Sequence, residues 1–444
     1  MQASPGVARE EPAVGRLASA SASNAELAAH SIFKEFGLAM PIPISSENLE
    51  TCKDFPYLKF SDWVRVLGKA DMLEHLTGQK SFATMKVILT EFWKRYRALY
   101  PNHEVFRLAD SGVLDLSCTI PVYTHKDEGR SSKKKPIMIL TTQGALGKGT
   151  AAQRRRNARG VIKHTVKTTP TKMNFIGHTY TTRYMFMAMP RSVYKHCPDT
   201  FFTMLKLYAS DMKSLAYDGV DVGRGNRIWV ASLGSKGDWP AHVKSAGLKR
   251  SFQNVPKRAT SKTPCSGICH LCLAGTEDFE EPENAVPFED FVFLPEWLDT
   301  CNVKDPWVEE PAELEIPHDT SDKPSYFKPD FWHNLSLGAG KTWAANFCVM
   351  FNPLAAGTSV ETRFEDMTAD FNSHCSLMKR SAYMKEINRE KVGFLKHVDF
   401  PDGHWSKGDV TTSLMLWMEK YGAQKIAESG SSDEILITME TCYN

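Results

Sequence analysis

The chain has 444 residues, of which 42% are hydrophobic, 24% charged and 11% aromatic, and its formal net charge is +2. These values are ordinary for a soluble globular protein with a real core, and the length predicts two or three domains. The sequence lacks the roughly eighteen consecutive apolar residues that a membrane span needs, and its N-terminus, with Glu10 and Glu11, lacks the apolar stretch of a signal peptide.

Ten cysteines are scattered unevenly along the chain. Without a secretory signal, this usage indicates reduced thiols rather than a disulfide framework. We therefore expect a nuclear or cytoplasmic protein that is not secreted and does not contact a membrane.

The N-terminal part divides into two stretches. Residues 1–28 are rich in Ala, Ser and Pro and predict a disordered tail. Residues 29–105 predict a helical module, because apolar residues recur at helical spacing from Phe60 to Tyr100 and Pro101 ends the pattern. Its basic, aromatic end, EFWKRYRALYP, indicates a core helix with a solvated face, with nucleic-acid contact as the alternative.

Residues 106–276 predict the main domain, in the order strand, strand, strand, helix, strand. The expected strands are Val113–Thr124, Pro136–Gln143, Phe175–Met189 and Ile228–Leu233, and the expected helix is Thr200–Tyr217. HKDEGR follows the first strand, and the last strand runs through Gly234 and Gly237 into a turn that presents Asp238.

This order is typical of the ribonuclease H-like fold, and it predicts an α/β (α+β) protein with a mixed sheet. In that fold one carboxylate comes from the first strand and another from the end of the fourth. The candidates are Asp127, with its neighbour Glu128, and Asp238. Such carboxylates can hold Mg²⁺ or Mn²⁺ against a phosphodiester. The alternative for Asp238 is an N-cap of the helix expected over Trp239–Leu248.

The charge distribution favours a polyanionic partner. Thirteen Lys or Arg and only two acids lie between Lys126 and Lys172, mostly in a basic loop over residues 144–172. This block predicts DNA binding, with a nuclear localisation signal or a solvated loop as alternatives. The residues expected to contact DNA are Lys133, Lys134, Lys135, Lys148, Arg154, Arg155, Arg156 and Arg159.

Residues 277–330 have the opposite charge, with seventeen acids against three lysines, and predict an acidic linker or insertion. Just before them, TPCSGICHLCLAG contains a Cys-x-x-Cys pair, Cys269 and Cys272, which is typical of half a structural Zn²⁺ site. Cys265 or His270 could supply a third ligand and Cys301 or a distant histidine a fourth. Free buried cysteines are the alternative.

Residues 331–430 predict a mostly helical C-terminal region, followed by a tail over residues 431–444. GAGKT near its start is not a phosphate loop, because Leu335 occupies the position of the required first glycine. Asp330 and His333, three apart in PDFWHN, are expected near the acidic site. Asp409 precedes an amphipathic helix that also carries Glu419.

Several blocks together resemble a multicopy, largely uncharacterised family of reading frames in dinoflagellate genomes. They are HKDEGR, KKKPIMILTTQGALGKG, NFIGHTYTTRYMFMAMP, SLGSKGDWP, GICHLC, FWHNLSLGAGK and FPDGHWSKGD. The resemblance extends from about Phe60 to Tyr421.

The layout is in turn similar to that of eukaryotic cut-and-paste transposases, which carry an Asp-Asp-Glu or Asp-Asp-Asp triad. This similarity makes Asp127 the first acid, Asp238 the second, and Asp330 with His333 an Asp-x-x-His motif. Asp409 or Glu419 is left for the third acid.

The resemblance implies DNA as a partner, divalent cations as cofactors and a homo-oligomer as an assembly. We therefore expect a transposase-like nuclease or strand transferase. A DNA-binding or scaffold protein that descends from such an enzyme without its activity is the alternative.

Overall fold

The computed structural model describes residues 12–19, 25–37, 40–130, 135–147, 182–252, 254, 263–289, 292–396 and 399–429. The chain divides into two compact units. The first unit comprises Met1–Lys236 and Pro240–Phe327, and the second comprises Gly237–Trp239 and Lys328–Asn444.

The strands form a two-stranded hairpin and a mixed sheet of six strands in the described part of the chain. The strands are β1 Ser45–Leu49, β2 Cys52–Tyr57, β3 Thr119–Arg130, β4 Pro136–Gly144, β5 Tyr184–Pro190, β6 Val220–Asp221, β7 Arg227–Gly237 and β8 Phe327–Pro329. The large sheet has the order β5-β4-β3-β7-β6, and β8 also pairs with β7. The chain is therefore a mixed α/β protein.

Helices surround the sheet of the first unit and dominate the second. They are α1 Pro12–Ser19, α2 Ala25–Glu35, α3 Phe60–Lys69, α4 Glu74–Thr77, α5 Phe82–Leu99, α6 Glu104–Asp110, α7 Arg191–Tyr194, α8 Pro198–Tyr217, α9 Trp239–Ala246, α10 Gly340–Phe351, α11 Val360–Leu377, α12 Arg389–Val392 and α13 Gly408–Ser429. None of the helices described here is long and apolar enough to cross a membrane.

Strand β3 presents different side chains to the two faces of the sheet, because successive residues of a strand alternate in direction. Asp127 pairs with Ile139 of β4, which pairs with Ala188 of β5, so these three side chains share one face. Thr124 faces the other way, and its hydroxyl contacts the Tyr208 hydroxyl of α8 at 2.7 Å.

A fully buried ion pair, the sealed pair, lies on this second face. Lys126 Nζ is 2.6 Å from Glu313 Oε2, and both side chains are fully buried. Lys126 also donates to Ser245 Oγ at 2.6 Å. Burial lowers the pKa of Lys126, and the Glu313 carboxylate opposes part of that shift. The pair ties the sheet to a segment that lies far along the chain.

The acidic stretch belongs mainly to the first unit, because residues 240–327 cluster with the sheet. Arg250 is buried and donates to four carbonyl oxygens: Cys269 at 3.1 Å, Asp305 at 3.1 Å, His270 at 3.4 Å and Lys304 at 2.5 Å. This arrangement fixes the cysteine-bearing turn and the acidic segment to each other.

The second unit is a helical core preceded by an irregular turn. Helices α10, α11 and α13 pack around side chains such as Phe371, Leu414 and Trp417. Residues Trp332–Ala339 form a π-helical segment that leads into α10. The described residues of this unit include the helices α10, α11, α12 and α13, and the predicted bounds of the helical C-terminal region stay a prediction.

The N-terminal tail differs from the prediction. Helix α1 and the first four residues of α2 lie within residues 1–28, which were expected to be disordered, and residues 1–11 and 20–24 lie outside the described part. The two helices are joined by an ion pair from Arg16 to Glu35 at 2.6 Å, and the Arg16 guanidinium lies over the Phe36 ring. Pairing stabilises helices that are too short to persist alone.

Two further expectations need correction. The predicted helical module contains the hairpin β1–β2, in which burial alternates along β1, and Phe55 and Tyr57 are buried on β2. Strand β3 begins at Thr119 rather than Val113, because Asp115 caps a short 3₁₀ turn before it. HKDEGR is consequently part of the strand, and Asp127 lies within it rather than after it.

Candidate functional site

Strand β7 carries the chain to Asp238. The strand is buried at nearly every position, as expected for one with neighbours on both sides, and it ends at Gly237. Gly234 has a φ of +130°, which only glycine tolerates readily. Asp238 is half-buried and directly precedes α9.

Asp330 lies beside this turn within the second unit. Its backbone N–H donates to the carbonyl of Gly237 at 3.2 Å. Gly237 directly precedes Asp238, so the backbones of the two segments are neighbours. The Asp330 carboxylate accepts from the Trp332 N–H at 2.9 Å, and the Asp330 carbonyl accepts from the Asn334 N–H at 3.0 Å. Asp330 thus lies beside the backbone of the turn that carries Asp238, and its role there stays a prediction.

His333 is oriented by Asp330. Its Nδ1 is 2.6 Å from Asp330 Oδ2, and the side chains are 34% and 23% exposed, respectively. A carboxylate at Nδ1 fixes the ring orientation and makes Nε2 the nitrogen available to a ligand or proton. Within the described residues, Nε2 of His333 has no hydrogen-bond partner. The Asp-x-x-His pair is therefore formed in space as well as in sequence.

The start of α13 packs on the same segment. A β-carbon on Gly408 would lie 2.5 Å from Trp332 Cζ2 and 2.9 Å from the Ser336 β-carbon. The Thr411 hydroxyl donates to the Ser336 carbonyl at 2.5 Å. Asp409 follows Gly408 in the first turn of the helix and is exposed, as is Glu419 further along it. Sequence reasoning missed this packing, and a glycine directly before the predicted acid was its only signal.

Asp127 belongs to the first unit. It is half-buried on β3, and its carboxylate forms no hydrogen bond or ion pair with any residue that the structure describes. The next residue behaves differently, because Glu128 lies on the opposite face of the strand.

Glu128 is fully engaged by its neighbours. Its oxygens are 3.0 Å from Lys244 Nζ and 3.4 Å from Arg191, and the Tyr194 hydroxyl also donates to it. Burial alone would raise the pKa of Glu128, but these donors outweigh it and hold the pKa below its usual value. Both oxygens are occupied, which argues against the predicted role of Glu128 as a metal ligand.

The cysteine turn does not assemble the expected zinc ligands. Cys265 donates to the Asn254 carbonyl, at 2.7 Å, and His270 Nε2 is 3.1 Å from the Phe327 carbonyl oxygen. Burial lowers the pKa of His270 to about 4, so the ring is neutral. A hydrogen bond from Cys272 lowers the pKa of Cys269 to about 6. The turn therefore contains one pair of hydrogen-bonded thiols instead of a set of four zinc ligands.

Metal ligation as a whole can be judged on the described ranges. Within them, no three His, Cys, Asp or Glu side chains lie together in a way that could hold a metal ion. The predicted ligands Asp127, Glu128, Asp238, Cys265, Cys269, His270 and Cys272 thus form no preformed site there.

The predicted DNA contacts lie mostly beyond the described residues. Lys135 is exposed just before β4. Lys133, Lys134, Lys148, Arg154, Arg155, Arg156 and Arg159 lie outside the described part of the chain. The DNA contact of this basic stretch therefore stays a prediction.

Comparisons with known proteins add no family assignment. No protein-family model matches the chain, and no curated protein matches it either.

Proposed function

We propose that this chain is a transposase-like DNA-processing protein that cleaves phosphodiester bonds and transfers strands. The observation that carries the proposal is the convergence within the second unit. The backbone of Gly237, next to Asp238, contacts Asp330, which pairs with His333. Gly408, next to Asp409, packs on Trp332 of the same irregular segment, although these stretches lie far apart in sequence. Carboxylates and an oriented imidazole are the groups that this chemistry needs.

The strand order supports a ribonuclease H-like arrangement of the first unit. Strands β3, β4 and β5 are antiparallel neighbours, α8 follows them, and β7 returns beside β3. The resemblance to cut-and-paste transposases makes Asp127, on β3, the first acid and Asp238, after β7, the second. It leaves Asp409 or Glu419 as the third.

The donor chemistry suits hard cations, but the geometry does not form a ready site. Mg²⁺ or Mn²⁺ would supply Lewis-acid stabilisation of the attacking and leaving oxygens. No three ligating side chains are gathered among the described residues. What the chain itself provides is the orientation of His333 by Asp330, which prepares Nε2 to exchange a proton with an attacking or leaving oxygen.

A second candidate function is a DNA-binding or scaffold protein that derives from a transposon and has no catalytic activity. The engagement of Glu128 by Lys244, Arg191 and Tyr194 favours it, as does the lack of a gathered ligand set in the described ranges. The acidic turn would then serve to cap α9.

Nicking of supercoiled plasmid with Mn²⁺ separates the two functions. We expect wild-type protein to nick, and Asp238→Asn to lose the activity while it retains stability, because Asn preserves a helix cap but not an anionic ligand. Asp238→Ala serves as the control for the cap, with an expected cost of about 1 kcal/mol. Wild-type protein that binds DNA but never nicks it would exclude the nuclease function. The DNA-binding or scaffold function would then remain.

A further inference from the structure

The second unit contains a cavity of about 350 Å³ on its own helical framework. It lies between the segment that precedes α12 and the segment that leads into α13. The lining residues that carry the argument are Tyr383, Lys385, Lys391, Trp405 and Lys407. Neither the metal chemistry nor the cysteine turn involves any of them.

Positive charge predominates in the lining of the cavity, with three lysines against one carboxylate. Lys385, Lys391 and Lys407 line it, and none of the three forms an ion pair with a residue that the structure describes. The lining carboxylate is Glu386, and it accepts a hydrogen bond from the Asn388 side chain at 2.9 Å. Like charges held around one cavity repel each other, and an anionic ligand relieves that repulsion.

One wall of the cavity is an exposed aromatic ring in a strained backbone conformation. Tyr383 is 55% exposed and has a φ of +52°, a region that a bulky side chain rarely adopts. Lys407 Nζ lies 4.7 Å from the centre of its ring. Strain of this kind persists where the surrounding structure enforces it, and here it keeps a flat apolar surface in solvent next to cations.

A second aromatic side chain of the lining is held rigidly. Trp405 is buried, and its Nε1–H donates to the Thr411 hydroxyl at 2.8 Å. Gly403, at a φ of +73°, lies against the same indole, where a β-carbon would be 2.9 Å from the ring. The cavity is thus bounded by a fixed indole and an open phenol ring.

We propose that this cavity binds a nucleotide unit of single-stranded DNA, with the base stacked on Tyr383 and the phosphates bound by Lys385, Lys391 and Lys407. Aromatic rings beside cations are how proteins bind unpaired strands without reading their sequence. The proposal rests on the DNA partner of the proposed function but not on cleavage. A free nucleotide offers the same base and phosphate, and the experiment must distinguish the two sources.

The test is fluorescence anisotropy of the full chain with a labelled oligothymidine of fifteen nucleotides. Tyr383→Ala should weaken binding roughly 5- to 100-fold, since one base–aromatic stack is lost. Tyr383→Phe keeps the ring and should bind like wild type. A Tyr383→Phe variant as weak as Tyr383→Ala, with both folded by circular dichroism, would overturn the stacking role.

The cations are tested with a charge-matched control. Lys385→Gln/Lys407→Gln should lower the log-log salt slope by about 1.4, because each lost contact to a single strand removes about 0.7. Lys379→Gln/Lys420→Gln removes two exposed lysines of the same unit outside the cavity lining and should leave the slope unchanged. Equal effects of the two double variants would show that DNA binding depends on general surface charge and not on the cavity, and would overturn the proposal.

Competition identifies the source of the ligand. Unlabelled single strand should displace the probe at lower concentration than AMP, and a duplex of the same length should be insensitive to Tyr383→Ala because its bases are not free to stack. AMP that displaces the probe as well as the strand does would make this a mononucleotide site and overturn the proposal. A chain that fails to nick plasmid but shows the Tyr383 dependence loses the catalytic function and keeps this site.

Discussion

Each of the two units contains a notable charged pair, and the two pairs differ in their exposure to solvent. In the first, Lys126 and Glu313 form a fully buried pair that also engages Ser245. In the second, Asp330 and His333 form a pair that is partly open to solvent and leaves one ring nitrogen without a partner among the described residues. A sealed pair stabilises one packing and can do no chemistry, whereas an open pair can exchange protons and ligands. The exposure of a charged pair, rather than its residue types, thus decides whether solvent and ligands can reach it.

The largest expected effect comes from breaking the sealed pair. Lys126→Met should lower the free energy of unfolding by about 3–5 kcal/mol, because it leaves the Glu313 carboxylate buried and unpaired. Lys126→Met/Glu313→Leu should recover most of that loss. Urea unfolding measures both variants.

The exposed pair Lys323–Glu310 is the matched control for the sealed one, with an Nζ–Oε1 distance of 2.5 Å. Lys323→Met should cost less than about 1 kcal/mol, since solvent screens exposed pairs. A Lys126→Met variant as stable as Lys323→Met would show that the buried pair has no structural role.

The next effect concerns pH and the sealed His103. Burial lowers its pKa to about 4; its Nδ1 accepts from the Val105 N–H and its Nε2 contacts the Ser232 carbonyl. The unfolded chain binds a proton near pH 6.5 and the folded chain only near pH 4, so stability falls as the pH drops through this window. The contribution is about 3 kcal/mol.

His103→Asn isolates this effect, because Asn keeps the helix cap of α6 but does not titrate. The difference in unfolding free energy between the variant and wild type should shift by about 3 kcal/mol between pH 7 and pH 4. A difference that is constant with pH would contradict the assignment. Carboxylates that titrate in the same range cancel in this comparison.

A smaller effect is expected at the open pair. Asp330→Asn should change stability by less than about 1 kcal/mol, because the amide oxygen can still accept from the Trp332 N–H. Plasmid nicking should fall about 10- to 100-fold, since His333 loses the carboxylate that orients it. Unchanged nicking with unchanged stability would show that the pair has no role in the proposed reaction.

The smallest effect on stability is expected at Cys269. The Cys272 hydrogen bond lowers its pKa to about 6, so alkylation by iodoacetamide should rise with pH and level off above about pH 7. Cys269→Ser should remove this fast phase and leave the melting temperature unchanged. A purified chain that carries about one zinc, and whose melting temperature falls on chelation, would instead establish structural zinc at this turn.

The sequence predicted the sheet well where the pattern was local. Strand β4 and helix α8 appear within two residues of their predicted bounds, because periodic apolar residues determine them. Strand β3 was misplaced, since the polarity of HKDEGR resembles a loop. Lys126 and Glu128 are tolerated in the strand only because Glu313, Lys244 and Arg191 reach them from distant parts of the chain.

The candidate site shows the same limit, because only its local part has a signal in the sequence. Asp330 and His333 form a local motif, and their pairing follows from their spacing. The contact of Gly408 with Trp332 and the cavity at Tyr383 depend on tertiary packing, which no pattern of spacing encodes. The acidic stretch was expected to be a linker or an insertion, and the Arg250 carbonyl contacts bind part of it into the first unit.

The Lys126–Glu313 pair also constrains the biosynthesis of the chain. Its two members are 187 residues apart, so Lys126 leaves the ribosome long before its partner is made. At about 5–20 residues per second this interval is roughly 10–40 s. Throughout that time the central strand carries a charge that has no counterion inside the fold, and its ammonium group must stay hydrated. The buried pair, and with it the final packing of this face of the sheet, can therefore form only after Glu313 has been made.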